Sequence, residues 1–106
     1  MATGTVPSQL LDQIVAHFHP QRVILFGSAA RGEAGPDSDL DLVVVVDDNT
    51  PPEKFDVRSV YAARRGYHGA VDILPCRASV LASRARAKGS FADIVLHEGV
   101  TVYERR

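Results

Sequence analysis

The chain has 106 residues, 45% of them apolar and 24% charged, with a formal net charge of −1 at pH 7. That length suits one core and is short for two, so a single domain over residues 1–106 is expected. No apolar run approaches the roughly 18 residues of a membrane-spanning helix, and the lone Cys76 excludes an internal disulfide.

Met1 to Pro7 has neither the basic nor the apolar region of a secretion signal, so a cytoplasmic protein is expected. The first predicted element is a helix beginning near Pro7-Ser8. Ser8 is its expected cap, and Leu10, Leu11, Ile14, Val15 and Phe18 form its apolar stripe, with Pro20 ending it. Arg22 to Phe26 reads as a buried strand stopped by Gly27. Ser28 to Arg31 reads as one helical turn capped by Ser28, followed by a loop from Gly32 to Ser38 with the turn signal Gly35-Pro36-Asp37.

Leu40 to Val46 is apolar on both faces except at Asp41, the pattern of a central strand covered on both sides. After the break at Asn49-Thr50-Pro51-Pro52, a helix is expected from Glu53 to Arg65, with Val57, Val60 and Tyr61 on its buried stripe. A third strand runs from Ala70 to Leu74 and is closed by Pro75. Helices follow over Arg77–Ala87 and Ser90–His97, the second stopped by Gly99, and Val100 to Tyr103 adds an edge strand. The expected fold is α/β in the α+β sense, a small mixed β-sheet flanked by helices.

Asp39 and Asp41 stand at i and i+2, so on a strand both side chains leave the same face of the sheet. Two such carboxylates repel unless one is protonated or a cation shares the space. A hard divalent ion such as Mg2+ suits an all-oxygen donor set that phosphate oxygens can complete. The plainer alternative is that Asp39 caps the loop and Asp41 lies at a solvated strand edge. Asp72 bears on that choice, because it interrupts the apolar Val71-Asp72-Ile73-Leu74 and faces away from Val71 and Ile73. If its strand neighbours Leu40–Val46, three carboxylates converge, as a site for two metals about 3.5–4 Å apart requires. Gly27-Ser28 after a buried strand allows a backbone to pass close to a ligand and offers N–H groups and a hydroxyl to phosphate; Arg31 is within reach of a terminal phosphate.

Gly27-Ser28, ten intervening residues and Asp39-Leu40-Asp41 resemble the signature of the polymerase-β-like nucleotidyltransferase superfamily. Leu25-Phe26-Gly27-Ser28-Ala29-Ala30-Arg31-Gly32 with Ser38-Asp39-Leu40-Asp41-Leu42 looks like its minimal bacterial and archaeal branch, which includes adenylyltransferase antitoxins. The likeness covers roughly residues 8–104 and departs at Ala29, where relatives often carry a larger or basic residue. It implies the nucleotidyltransferase fold and nucleotide binding through Gly27 and Ser28. It also implies that Asp39 and Asp41 are catalytic ligands of two Mg2+ ions, and that Asp72 completes the site and helps deprotonate the acceptor.

The resemblance further implies ATP as donor and AMP as the transferred group. The implied partner is a helical HEPN-type toxin, adenylylated on a tyrosine by the chain acting as antitoxin of a type VII toxin–antitoxin pair. Two other readings stay open: transfer to a small molecule, as in aminoglycoside nucleotidyltransferases, and a non-catalytic antitoxin that only binds its toxin. Direct binding of nucleic acid is not expected, since no basic aromatic groove is evident. The scattered His17, His19, His68 and His97 are not spaced as metal ligands, and Cys76 has no companion base.

Overall fold

The computed structural model describes residues 6–27 and 39–105. Helix α1 spans Ser8–Phe18 and buries Leu10, Ile14 and Phe18. Its cap is Pro7, whose carbonyl accepts from Leu11 N at 3.0 Å. Ser8 is already helical and makes no capping bond, which corrects its expected role: it sits one residue too late to cap. The helix ends at His19 in the left-handed conformation, φ 48, with its N–H donating to Val15 O at 2.9 Å.

Among the described residues four strands form one sheet: β1 (Arg22–Phe26), β2 (Leu40–Val46), β3 (Val71–Arg77) and β4 (Val100–Glu104), in the order β3-β2-β1-β4. The β1–β2 and β1–β4 pairs are antiparallel and the β2–β3 pair is parallel, so the sheet is mixed as expected. Side chains alternate between faces, and each face carries its own core. Leu25, Leu42 and Ile73 belong to the cluster covered by α1 and by Ala63. Ile24, Val43 and Val45 belong to the other, covered by Leu81, Ala92 and Val95.

The expected helix over Glu53–Arg65 divides in two. Pro52–Phe55 is a 3-10 turn, Asp56 is extended at φ −67 and ψ 153, and α2 proper is Val57–Ala63. Its orientation also differs from the apolar stripe. Ala63 faces the core, while Val57 is 85% and Tyr61 69% exposed. The polar and small residues set that rotation: His17 Nε2 lies 2.8 Å from Ser59 Oγ, and Gln13 Nε2 donates to Ala63 O and Arg65 O at 3.3 and 2.8 Å. These bonds lock α2 to α1 through its thin side and turn Val57 and Tyr61 outward, while Val60 of the expected stripe packs against the core, partly buried.

Strand β3 runs through Pro75 to Arg77 instead of stopping at Leu74. Proline is tolerated because β3 is an outer strand, where a missing N–H need not break a ladder on both sides. Helix α3 (Ala78–Arg84) is shorter than its expected Arg77–Ala87 span. Helix α4 (Phe91–Glu98) is capped by Ser90, whose Oγ accepts from Asp93 N at 3.1 Å while Asp93 Oδ2 accepts from Gly89 N at 2.8 Å. This reciprocal pair fixes where α4 begins.

At the end of β2 opposite Asp41, Asp47 accepts from Gln21 Nε2 at 2.7 Å and from Arg105 at 2.9 and 3.2 Å. Asp48 accepts from Ser79 N at 2.9 Å. Aspartates therefore stand at both ends of β2, and those at this end tie down chain segments.

Two histidines respond oppositely to their surroundings. Burial, then the Lys54 charge, pushes His17 below the ordinary histidine value, whereas the Asp93 carbonyl and carboxylate hold His97 above it. For His97 the raised folded value means its bond to Asp93 adds stability in acid and loses it as pH rises through that value. An NMR titration is expected to show the His17 midpoint below that of His97, and Asp93→Asn to lower the His97 midpoint without moving His17.

Candidate active site

On the face covered by α3 and α4, the sheet is a stack of cross-strand rows. Register places Ile24, Val43 and Leu74 in one row and Phe26, Asp41 and Asp72 in the next. The pattern is apolar until its last row, where two carboxylates stand side by side on neighbouring strands. Asp39 precedes β2 by one residue and is exposed.

The proximity is electrostatically visible at Asp41. Its carboxyl is held above the usual carboxylate range by partial burial first, then by the charge of Asp72, the charge of Asp39 and a hydrogen bond with Asp72. All of these disfavour the ionised form. The condition posed by the sequence, that β3 neighbour β2 with Asp72 toward the other pair, is met.

Gly27 closes the site from β1. Its φ is +80, and a Cβ built there would lie 2.7 Å from Asp41 Oδ2. Any other residue would be strained in its backbone and would collide with the carboxylate. Ser28 and Arg31, the other expected nucleotide-binding residues, lie outside the described residues. On the far side of Asp41, Phe26 meets Phe91 edge-on with ring centroids 5.2 Å apart, so α4 leans on the same row.

Among the described residues, no three His, Cys, Asp or Glu side chains already stand as a closed metal-ligating set. No ion pair among them involves Asp39, Asp41 or Asp72. The donor set nevertheless fits a hard cation: it offers carboxylate oxygens only, and burial followed by the neighbouring Asp72 and Asp39 charges makes Asp41 gain from a nearby positive charge. Two of the histidines are engaged elsewhere, His17 on Ser59 and His97 on Asp93. Burial pushes the Cys76 thiol up, which makes it a poor nucleophile.

The sequence stripe concealed one neighbouring feature, the exposed face of α2. A groove of about 400 Å³ lies between that helix and the free flank of β3, and Asp72 is part of its wall. The small Ser59, Ala62 and Ala63 were the sequence signal for which side of α2 packs inward.

With the geometry in view, the chain belongs to the nucleotidyltransferase domain family, whose pattern it matches over residues 8–93. Nucleotidyl transfer is therefore its reaction class. Among solved structures it is similar to a toxin–antitoxin crystallised with AMP-PNP, with a TM-score of 0.61 and 14% identity over 95% of this chain and 76% of that one. It is also similar to a Sulfolobus solfataricus protein assigned to the nucleotidyltransferases, with a TM-score of 0.58 and 22% identity over 92% of this chain and 76% of that one. At these identities the likeness is one of fold. No curated protein matches the chain significantly. No helix among the described residues is long and apolar enough to cross a membrane.

Two substitutions test the packing at this corner. Asp41→Asn is expected to melt at or above the wild-type temperature, because it removes a charge that its surroundings disfavour. Gly27→Ala is expected to lose about 1–3 kcal/mol, the range for forcing a side chain into a left-handed backbone. Thermal or urea melts of the two variants give the comparison, and gross unfolding of Asp41→Asn would contradict it.

Proposed function

We propose that this chain transfers AMP from ATP to a hydroxyl of a protein acceptor in a Mg2+-dependent reaction. In the fullest form of the reading the acceptor is a tyrosine of a HEPN-type toxin, and the chain is its antitoxin in the cytoplasm. The observation that carries the reading is the pairing of Asp41 with Asp72 across β2 and β3, with Gly27 backed against Asp41. The toxin–antitoxin fold neighbour supports the antitoxin role.

Asp39 and Asp41 are the residues that would hold two Mg2+ ions, with Asp72 completing the set. The ions supply charge neutralisation on the triphosphate and a lowered pKa for the attacking hydroxyl. Gly27 keeps a side chain out of the path of the triphosphate, and Ser28 donates its hydroxyl to a phosphate oxygen. Arg31 offers a charged fork to the terminal phosphate. Asp72 accepts the proton of the acceptor hydroxyl. The acceptor oxygen bonds to the α-phosphorus as the bond from that phosphorus to the bridging oxygen breaks, and pyrophosphate leaves. Little covalent chemistry is asked of the protein, and positioning with charge stabilisation carries the rate.

The test incubates the chain with [α-32P]ATP, Mg2+ and a small helical HEPN-type protein, the partner class this reading calls for. Label is expected on that protein, and Asp39→Ala or Asp41→Ala is expected to lower its rate by about 10³-fold or more. Tight binding without label in excess Mg2+ would instead identify a non-catalytic plug. Label on an added aminoglycoside would identify a small-molecule enzyme.

A further inference from the structure

We propose that the outer face of α2, with the groove between it and β3, docks the acceptor as a protein segment that is apolar at its centre and acidic at its rim. This deepens the reading of the chain as a protein-modifying transferase and rests on it. Val57 is 85% and Tyr61 69% exposed on one short helix, and Leu74, across the groove, is 43% exposed. All three line the same groove at the margin of the sheet, and large apolar side chains so exposed mark a surface that gains by being covered.

The helix stands as a ridge between two hollows. The one toward β3 holds about 400 Å³ and is walled by Asp72. The one on its other flank holds about 550 Å³ and is lined by Val57, Arg58, Tyr61, Ala62 and Arg65. A segment laid over the ridge therefore reaches Asp72 from the side, and a hydroxyl on it arrives where the acceptor proton must be taken up. The docking surface and the carboxylate share one groove.

Charge selects the occupant. Arg58 and Arg65 are exposed on the rim, and the Arg64 guanidinium lies 5.8 Å from the centre of the Tyr61 ring. Asp72 is the single acid among the residues lining the two hollows. An acidic rim on the partner complements those arginines, and its apolar centre covers Val57 and Leu74. A nucleic acid would also satisfy the arginines. It would bring its phosphates against Asp72 with Asp41 behind, and it offers nothing to the aliphatic side chains, so a protein is favoured.

The probes are proteins of the host extract with [α-32P]ATP and Mg2+, and a photo-crosslinker carried at position 57 or, as control, at the exposed position 82 on α3. Val57→Asp and Tyr61→Ala are expected to cut labelling at least tenfold while melting and binding ATP as the wild type does. The labelled species is expected to crosslink at 57 and not at 82, giving an adduct that protease digests and nuclease leaves intact. Undiminished labelling of both variants, a nuclease-sensitive adduct, or capture at 82 alone would overturn the proposal. The two readings fail separately: Asp41→Ala should abolish label but keep the crosslink at 57. A crosslinked protein that the wild type never labels would leave the docking face standing and remove its role in transfer.

Discussion

Asp41 and Asp72 share one rung of the β2–β3 ladder, and their mutual repulsion is a cost that the rest of the sheet must offset. Two like charges about 4 Å apart near a surface repel by roughly 1–4 kcal/mol, depending on how much water lies between them. Against this stands the run Leu42 to Val46, buried at every position. Each such side chain contributes roughly 1.5–3 kcal/mol on burial. The apolar rows therefore win, and the sheet can present a corner of its own that disfavours charge. Helices α3 and α4 seal the rows beside that corner, and Phe91 on Phe26 joins the seal to the rung itself.

The same carboxylate also fixes which way β2 faces. A strand that is apolar on both sides gives little resistance to a one-residue slip, because every exchanged position remains apolar. Asp41 is the exception. Turned to the opposite face it would lie among Leu25, Leu42 and Ile73, in the cluster beneath α1, without a partner for its charge. The residue proposed for chemistry thus serves as the strand's register mark.

The strands and the acidic rung were legible because they rest on patterns of period two and on a motif whose spacing is unusual. Val71 and Ile73 are buried and Asp72 is exposed, as alternation around a polar interruption requires. What the sequence obscured lies where apolar content and burial part company. Of the expected stripe Val57, Val60 and Tyr61 only Val60 packs against the core, because α2 is held through Ser59 and Ala63 by His17 and Gln13, partners that are more than forty residues away along the chain. Pro75 likewise reads as a strand end, and only the sheet order shows it to lie on an outer strand that accommodates it. Capping at α1 fell to Pro7 instead of Ser8, a one-residue difference that propensity alone does not resolve.

Strand order has one more effect. Because β3 is an outer strand, the exposed Asp72 stands at a margin of the sheet and, among the described residues, can be approached laterally as well as from above. A carboxylate at the bottom of a pocket admits only what the pocket admits. In the proposed role of Asp72, a carboxylate on such a margin would set no upper limit on the bulk of the molecule presenting a hydroxyl to it, and an acceptor as large as a folded protein would fit as readily as a sugar.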